Sequence, residues 1–143
     1  MNVQLQIMNR FYVLVGSNIN PYENVKKGLE LINESAEISL EAVSSEFLSK
    51  AVGMDGDDFL NQALRCTTKL DFKETINILK NIEALCGRKR DPDNKFTSRT
   101  LDLDVIHWND FIGIIEGYKL PDPDIETVSY THLTLPTKRG WGW

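Results

Sequence analysis

Acidic and basic side chains are concentrated between Gly87 and Asp104, in the run GRKRDPDNKFTSRTLDLD. Asp102 and Asp104 alternate there with apolar residues, which is the period of a strand, so both carboxylates are expected on one face. Their Cα atoms would lie about 6.5–7 Å apart, from a rise of about 3.3 Å per residue. Mg²⁺ takes few protein oxygens and keeps its other positions for phosphate and water. The sequence therefore predicts a magnesium site on this strand.

Cations precede the two aspartates closely, with RKR at 88–90, then Lys95 and Arg99. The forked guanidinium groups of arginine match phosphate oxygens. Carboxylates that hold metal, together with arginines, are the equipment of phosphoryl-type transfer, in which positioning and charge neutralisation do most of the catalysis. The alternative stays open, because D-x-D is common at strand ends and RKR is often a solvated charge run.

The composition is that of a soluble globular domain. The chain has 143 residues, of which 41% are hydrophobic and 26% charged, and this length fits one domain. Its net charge of −5 disfavours nonspecific binding to nucleic acid or to an anionic membrane, so the local cations indicate a small anionic ligand. No apolar run approaches the roughly 20 residues that span a bilayer, and we expect a cytoplasmic protein. Cys66 and Cys86 fall on apolar stripes and are interpreted as buried, reduced thiols.

Hydrophobic periodicity predicts four strands and two helices. The predicted strands are Phe11–Val15, Ile38–Val43 with Ile38, Leu40 and Ala42 inward, Phe59–Leu70 and Leu101–Trp108; the predicted helices are Pro21–Asn33 and a second from Asp71 to Gly87. The order strand, helix, strand, strand, helix, strand is that of an α+β, ferredoxin-like fold, an antiparallel sheet with both helices on one face. Asp102 and Asp104 would then lie on the open face, beneath two long loops, 44–58 and the cationic loop that follows Gly87.

Local signals refine this outline. Asn20 and Asp71 are predicted N-caps, and Glu74 completes a capping box with Asp71. Gly16 could belong to a turn that cradles phosphate, but a single glycine without a Lys-Ser/Thr ending does not make a P-loop, so a structural turn is favoured. His107 shares its parity with the leucines of the last strand and is expected to be a satisfied core histidine.

Four segments taken together resemble a known family: FYVLVGSN, FLNQAL, IEALCGRKR and RTLDLDVI. They are similar to 6-hydroxymethyl-7,8-dihydropterin pyrophosphokinase of folate biosynthesis, in the same order, over residues 11–125. The resemblance implies a ferredoxin-like fold, which the periodicity predicts separately. It also implies Mg²⁺-dependent transfer of pyrophosphate from ATP to 6-hydroxymethyl-7,8-dihydropterin, giving AMP. The expected partners are these two small molecules, with no nucleic acid or membrane, and the expected state is a monomer.

The resemblance assigns residues position by position. Arg88 and Arg99 would be catalytic contacts to the transferring phosphates, and Asp102 and Asp104 would bind two Mg²⁺ ions. Further ATP contacts would come from Lys80, Glu83, Arg90, Lys95 and Val105. Pterin contacts would come from Ser49, Val52, Phe59, Asn61, Phe96 and Tyr130. Two plainer alternatives stay open, namely that Phe59 is simple core and that Glu83 is a solvated helix residue.

The C-terminal part departs from the family pattern. The family usually reads L-P-H-P where this chain has LPDP, so Asp122 replaces a histidine that would approach ATP phosphate. Val128 stands where an arginine is usual. We expect one domain over 1–143, with 126–143 atypical and either disordered or foreign. Two hypotheses follow, an active enzyme or an impaired relative that binds pterin or nucleotide without efficient transfer. A ferredoxin-like RNA-binding module would need exposed aromatics and a basic surface, and the acidic chain disfavours it.

Overall fold

The predicted α+β architecture is confirmed. A computed structural model describes residues 7–49, 58–87 and 101–123, and the backbone of residues 133 and 134. The elements within these ranges are, in chain order, β1 (Asn9–Ser17), α1 (Pro21–Glu34), β2 (Ile38–Ser44), β3 (Phe47–Ser49), β4 (Phe59–Thr68), α2 (Phe72–Leu85), β5 (Asp102–Trp108), β6 (Gly113–Ile115), β7 (Tyr118–Leu120) and β8 (Leu133–Thr134). The long elements match the predicted order, and the short strands were not predicted.

The main sheet has the strand order β5-β1-β4-β2-β8, with β3 also paired to β4, and every pairing is antiparallel. The first four strands in this order are the four long ones, arranged as a ferredoxin-like fold requires. Strands β6 and β7 form a separate two-stranded sheet. Strand β8 pairs with the end of β2, so part of the segment predicted as atypical contributes backbone pairing to the sheet.

Both helices pack on the same face of the sheet. The helices bury apolar stripes at helical spacing, as an amphipathic sequence should. Their core-facing apolar residues are Val25, Leu29 and Ile32 of α1 and Phe72, Ile76, Leu79 and Ile82 of α2. These contact alternate residues of the strands, so neither helix covers the other face of the sheet. Neither helix of the described ranges is long and apolar enough to cross a membrane.

The ends of α2 follow the predicted signals. The main-chain N–H of Glu74 donates to Asp71 Oδ1 at 2.8 Å, and the N–H of Asp71 donates to Glu74 Oε1 at 3.4 Å, which is the predicted capping box. Gly87 follows the helix with φ 83°, a left-handed conformation that glycine adopts without strain. Asn20 lies at the N-cap position of α1, as predicted. However, its φ is 41° and its side chain makes no capping hydrogen bond.

A bulge in β5 overturns the prediction for His107. Val13 pairs with Val105 and Tyr12 pairs with His107, so Ile106 is an extra residue on β5. One inserted residue turns the following side chains to the opposite face. His107 therefore lies on the open face, where its ring packs edge-on against that of Tyr12 at 5.5 Å between centroids. Within the described residues its buried Nδ1 has no hydrogen-bond partner, so it is not a satisfied core histidine.

A second bulge corrects the predicted inward face of β2. The register shifts between Leu40 and Ala42, which leaves Glu41 as the extra residue. Ala42 then pairs with Arg65, and Val43, at 0% exposure, continues the core face in its place. Glu41 lies 3.9 Å from Arg65 Nε as an ion pair on the open face. The prediction that Ala42 shares a face with Leu40 was therefore wrong.

Both cysteines are buried and free, as predicted. Burial raises the pKa of the Cys66 thiol, and the Glu41 carboxylate raises it further. Burial likewise raises the pKa of Cys86, where Lys27 acts in the opposite direction and Glu83 in the same one. A thiol whose pKa is raised stays protonated at neutral pH. Both side chains therefore act as small apolar residues of the core.

Gly28 sets how closely α1 approaches the start of β5. A Cβ at this position would lie 2.8 and 3.1 Å from the two Cδ atoms of Leu101, which is fully buried. Alanine would gain about 1 kcal/mol of helix propensity, but overpacking a core costs about 1–3 kcal/mol. We expect Gly28→Ala to lower the free energy of unfolding by about 1 kcal/mol, measured by urea denaturation.

A double-mutant cycle isolates this contact. In a Leu101→Val background the two Cδ atoms are absent, so Gly28→Ala should become neutral or stabilising. Lys26→Ala on the exposed side of α1 is the control and should change stability little. If Gly28→Ala stabilised the unaltered protein, the close approach would not be a constraint.

Candidate active site

One row of three residues crosses the open face of the sheet. Gly16 of β1 pairs with Asp102 of β5 on one side and with Asn61 of β4 on the other. Residues directly opposite one another on neighbouring strands point to the same face. With strands about 4.8 Å apart, the Cα atoms of Asp102 and Asn61 are separated by about 10 Å. A carboxylate and an amide thus border a position that has no side chain.

Gly16, which has no side chain, leaves an open patch of sheet surface between Asp102 and Asn61, the glycine floor. A Cβ there would lie 3.0 Å from Asn61 Oδ1 and 3.7 Å from Phe59 Cδ1. Gly16 lies within β1 rather than in the turn that the sequence indicated. Gly16 was not predicted as part of the site, although the alternation of β1 carries the signal. Gly16 has the same parity as Leu14 and Tyr12, which places all three on the face opposite to that of the buried Val15.

The amide of Asn61 is held in one orientation. Its Nδ2 donates to Ser49 Oγ at 2.7 Å and to the carbonyls of Phe59 at 3.2 Å and Phe47 at 3.4 Å. The side chain is only 5% exposed. Because the NH₂ group is used by these acceptors, Oδ1 is the atom that faces the space over Gly16. A ligand there meets a hydrogen-bond acceptor, so it should present an N–H group.

The two aspartates face away from the core, as the alternation predicts. Asp104 is exposed and Asp102 half-buried, whereas Leu103 and Val105 between and beyond them are buried in the main core. Within the described ranges, no group of three or more His, Cys, Asp or Glu side chains could hold a metal. Two carboxylates fit Mg²⁺, which completes its octahedron with water and substrate phosphates rather than with a full protein cage.

The outer edge of β5 offers backbone groups to a ligand. Glu83 Oε2 accepts from the N–H of Leu103 at 2.8 Å, so this peptide points away from β1. Val105, two residues on, has the same orientation, because backbone direction alternates along an antiparallel pair. The N–H of Asp122 donates to the carbonyl of Ile106 at 2.9 Å. Val105 therefore presents its N–H and C=O outward between two bonded positions, a donor beside an acceptor.

Helix α2 carries two further predicted site residues. Lys80 is exposed, three residues before Glu83. Glu83 is 7% exposed, which excludes the alternative that it is a solvated helix residue. Phe59 is partly exposed beside the glycine floor, so it is not simple core either.

The predicted site residues fall into two groups, one within the described ranges and one outside them. Those that lie outside the described residues are Val52, Arg88, Arg90, Lys95, Phe96, Arg99 and Tyr130. Those that the structure brings to the row or its borders are Asp102, Asp104, Asn61, Phe59 and Ser49, with Val105 and Glu83 on the adjoining edge.

Comparison with known proteins gives one family. A family model described as 7,8-dihydro-6-hydroxymethylpterin-pyrophosphokinase (HPPK) matches residues 12–138. The match extends beyond residue 125, into the segment that the sequence marks as atypical.

Similar curated proteins carry related names. The 2-amino-4-hydroxy-6-hydroxymethyldihydropteridine pyrophosphokinase of Bacillus subtilis is 32% identical over 103 residues, which are 71% of this chain and 60% of that protein. The protein of the same name from Aquifex aeolicus is 31% identical over 121 residues, 83% of this chain and 73% of that protein. A bifunctional protein FolKE of Lactococcus lactis is 29% identical over 116 residues, 80% of this chain but only 33% of that protein. The chain thus spans part of the length of these relatives.

Proposed function

We propose an activity for this chain from one premise: it belongs to the 7,8-dihydro-6-hydroxymethylpterin-pyrophosphokinase family. The proposed reaction transfers pyrophosphate from ATP to 6-hydroxymethyl-7,8-dihydropterin, in folate biosynthesis. The hydroxymethyl oxygen attacks the β-phosphorus, the bond from that phosphorus to the oxygen bridging the α-phosphate breaks, the hydroxyl proton is released and AMP leaves. The observation that supports the proposal is the row Asp102–Gly16–Asn61, in which a carboxylate and an amide lie on either side of a glycine.

The amide end of the row would bind the pterin. Asn61 Oδ1 lies over Gly16 as an acceptor and suits the N–H groups of the pterin's amide-like edge. Phe59 borders the same floor and would contact the ring. Ser49 would hold the amide in place. Val52, Phe96 and Tyr130 are proposed as further pterin contacts. A ring held here would extend its hydroxymethyl arm across β1 toward Asp102.

The carboxylate end would bind magnesium and ATP. Asp102 and Asp104 would hold two Mg²⁺ ions, which neutralise polyphosphate charge when bound. Arg88 and Arg99 would donate to the transferring phosphates, where negative charge develops. Additional ATP contacts are proposed for Lys80, Arg90 and Lys95. The outward N–H and C=O of Val105 would pair with the donor and acceptor on the edge of adenine.

A second candidate is a relative that binds pterin and nucleotide with weak transfer. Asp122 favours it, because this aspartate replaces the histidine usual in the family and its main chain is bonded to β5 at Ile106. Its negative charge is thus placed beside the strand that carries Asp102 and Asp104. A carboxylate there would repel polyphosphate rather than attract it.

One experiment separates the two candidates. Calorimetric titration with Mg²⁺, a non-hydrolysable ATP analogue and the dihydropterin measures binding, and a coupled assay measures AMP release from ATP. Binding with pterin-dependent AMP release is expected for the enzyme. Binding without AMP release would establish the second candidate instead, and absence of binding by both ligands would contradict both. ATP turnover without pterin is the control for simple hydrolysis.

A further inference from the structure

A buried carboxylate, that of Glu83, contacts the strand that carries Asp102 and Asp104. Glu83 belongs to the last turn of α2, is 7% exposed, and its Oε2 accepts the main-chain N–H of Leu103 at 2.8 Å. The C-terminal end of a helix carries partial negative charge, which disfavours a carboxylate there. Removing a charge from water is a further cost. Packing and helix stability alone would therefore select another residue at this position.

The hydrogen bond from Leu103 to Glu83 lies on the part of β5 that carries the two aspartates. This strand ends the sheet order, so its outer backbone groups have no neighbouring strand among the described elements. Leu103 is the residue between Asp102 and Asp104, and it is 4% exposed. The direction of each side chain follows from the backbone of its strand. A constraint on the peptide of Leu103 therefore constrains both carboxylates at once.

We infer that Glu83 is a positioning residue for the metal site, which holds the peptide of Leu103 so that Asp102 and Asp104 converge on the cations. The inference rests on the proposed function, in that it assumes the two aspartates bind divalent metal. It differs from a direct contact to ATP, because the effect passes through the main chain. In this inference, the side chain at position 83 must place an acceptor oxygen within hydrogen-bond distance of the Leu103 N–H, whether or not that oxygen is charged.

Two substitutions separate reach from charge. Glu83→Gln keeps an acceptor oxygen at the same distance and removes the charge, whereas Glu83→Asp keeps the charge and withdraws the oxygen by one methylene group. Mn²⁺ binding in the presence of α,β-methylene-ATP is titrated by electron paramagnetic resonance, and hydrogen exchange of the Leu103 amide is followed by NMR. Asn77→Ala, on the exposed face of α2, is the control. Thermal unfolding of each variant checks that it is folded.

Glu83→Asp is expected to weaken Mn²⁺ binding about tenfold or more, as for loss of a hydrogen bond behind a metal ligand, and to speed exchange at Leu103. Glu83→Gln should restore both to near the values of the unaltered protein. Slow exchange and full affinity in Glu83→Asp would overturn the inference alone and leave the proposed function standing. Weak Mn²⁺ binding in Glu83→Gln despite slow exchange would overturn it in favour of a charge effect. If the unaltered protein bound no Mn²⁺ with the nucleotide, the proposed function would fail as well.

Discussion

Asp102→Asn and Asp104→Asn are each expected to lower kcat/KM for AMP formation by about a thousandfold. In the proposed site, each change would remove a ligand and a negative charge from the cations that would neutralise the polyphosphate. A thousandfold loss corresponds to about 4 kcal/mol of transition-state stabilisation, at roughly 1.36 kcal/mol for each factor of ten. Asparagine keeps the shape of aspartate, and neither side chain is in the core. Steady-state AMP release at varied Mg²⁺ measures the effect.

Asp110→Asn is the matched control for this prediction. Asp110 is exposed just beyond β5 and lies outside the row, so its replacement should leave AMP release and Mg²⁺ dependence unchanged. Thermal unfolding of all three variants should stay close to that of the unaltered protein. Near-normal rates in Asp104→Asn would show that the exposed carboxylate is no metal ligand, and the proposed reaction would lose its metal site.

The fold could be predicted where the controlling interactions are local. The capping box at Asp71 and Glu74 is complete within four residues, and the helix stop at Gly87 depends on one residue's conformational freedom. The two bulges could not be predicted in this way. Ile106 and Glu41 are extra only relative to the strands they face. Nothing in the alternation of β5 marks the point where its parity changes, so the predicted orientation of His107 was wrong.

In the candidate site, too, local features could be predicted and long-range ones could not. Asp102 and Asp104 are separated by one residue, so their common face follows from strand periodicity alone. Gly16, Asn61 and Asp102 come from three strands far apart in sequence, and their row exists only through the register of β1 with both neighbours. The family resemblance identified Asn61, Asp102 and Asp104 as site residues, but it did not give their spatial arrangement. The buried bond from Glu83 to Leu103 depends on how α2 docks on β5, which periodicity does not specify.

Asn61→Ala tests the other end of the row. We expect it to raise the Kd for the dihydropterin about 10- to 100-fold, because a buried ligand N–H left without its acceptor costs about 1–3 kcal/mol. The Kd for the Mg²⁺ and ATP-analogue complex should change little, since Asn61 lies about 10 Å from Asp102 across the glycine floor. Calorimetry with each ligand in turn measures both constants. Asn77→Ala on exposed α2 is the control for loss of an amide.

Gly16→Ala tests the same pterin contact by placing a methyl group against Asn61 Oδ1. The added methyl group would lie 3.0 Å from Asn61 Oδ1, a tight contact that the amide can relieve only by shifting by a few tenths of an ångström, and the same methyl group would raise the ligand from the floor. Pterin affinity should fall in this variant too, although Asn61 is intact. Because both changes disturb the same contact between Asn61 Oδ1 and the ligand, Asn61→Ala and Gly16→Ala combined should weaken binding by less than the product of their separate effects. Full pterin affinity in Gly16→Ala would mean that the ring binds away from β1, and the proposed path from the amide to the carboxylates would then be wrong.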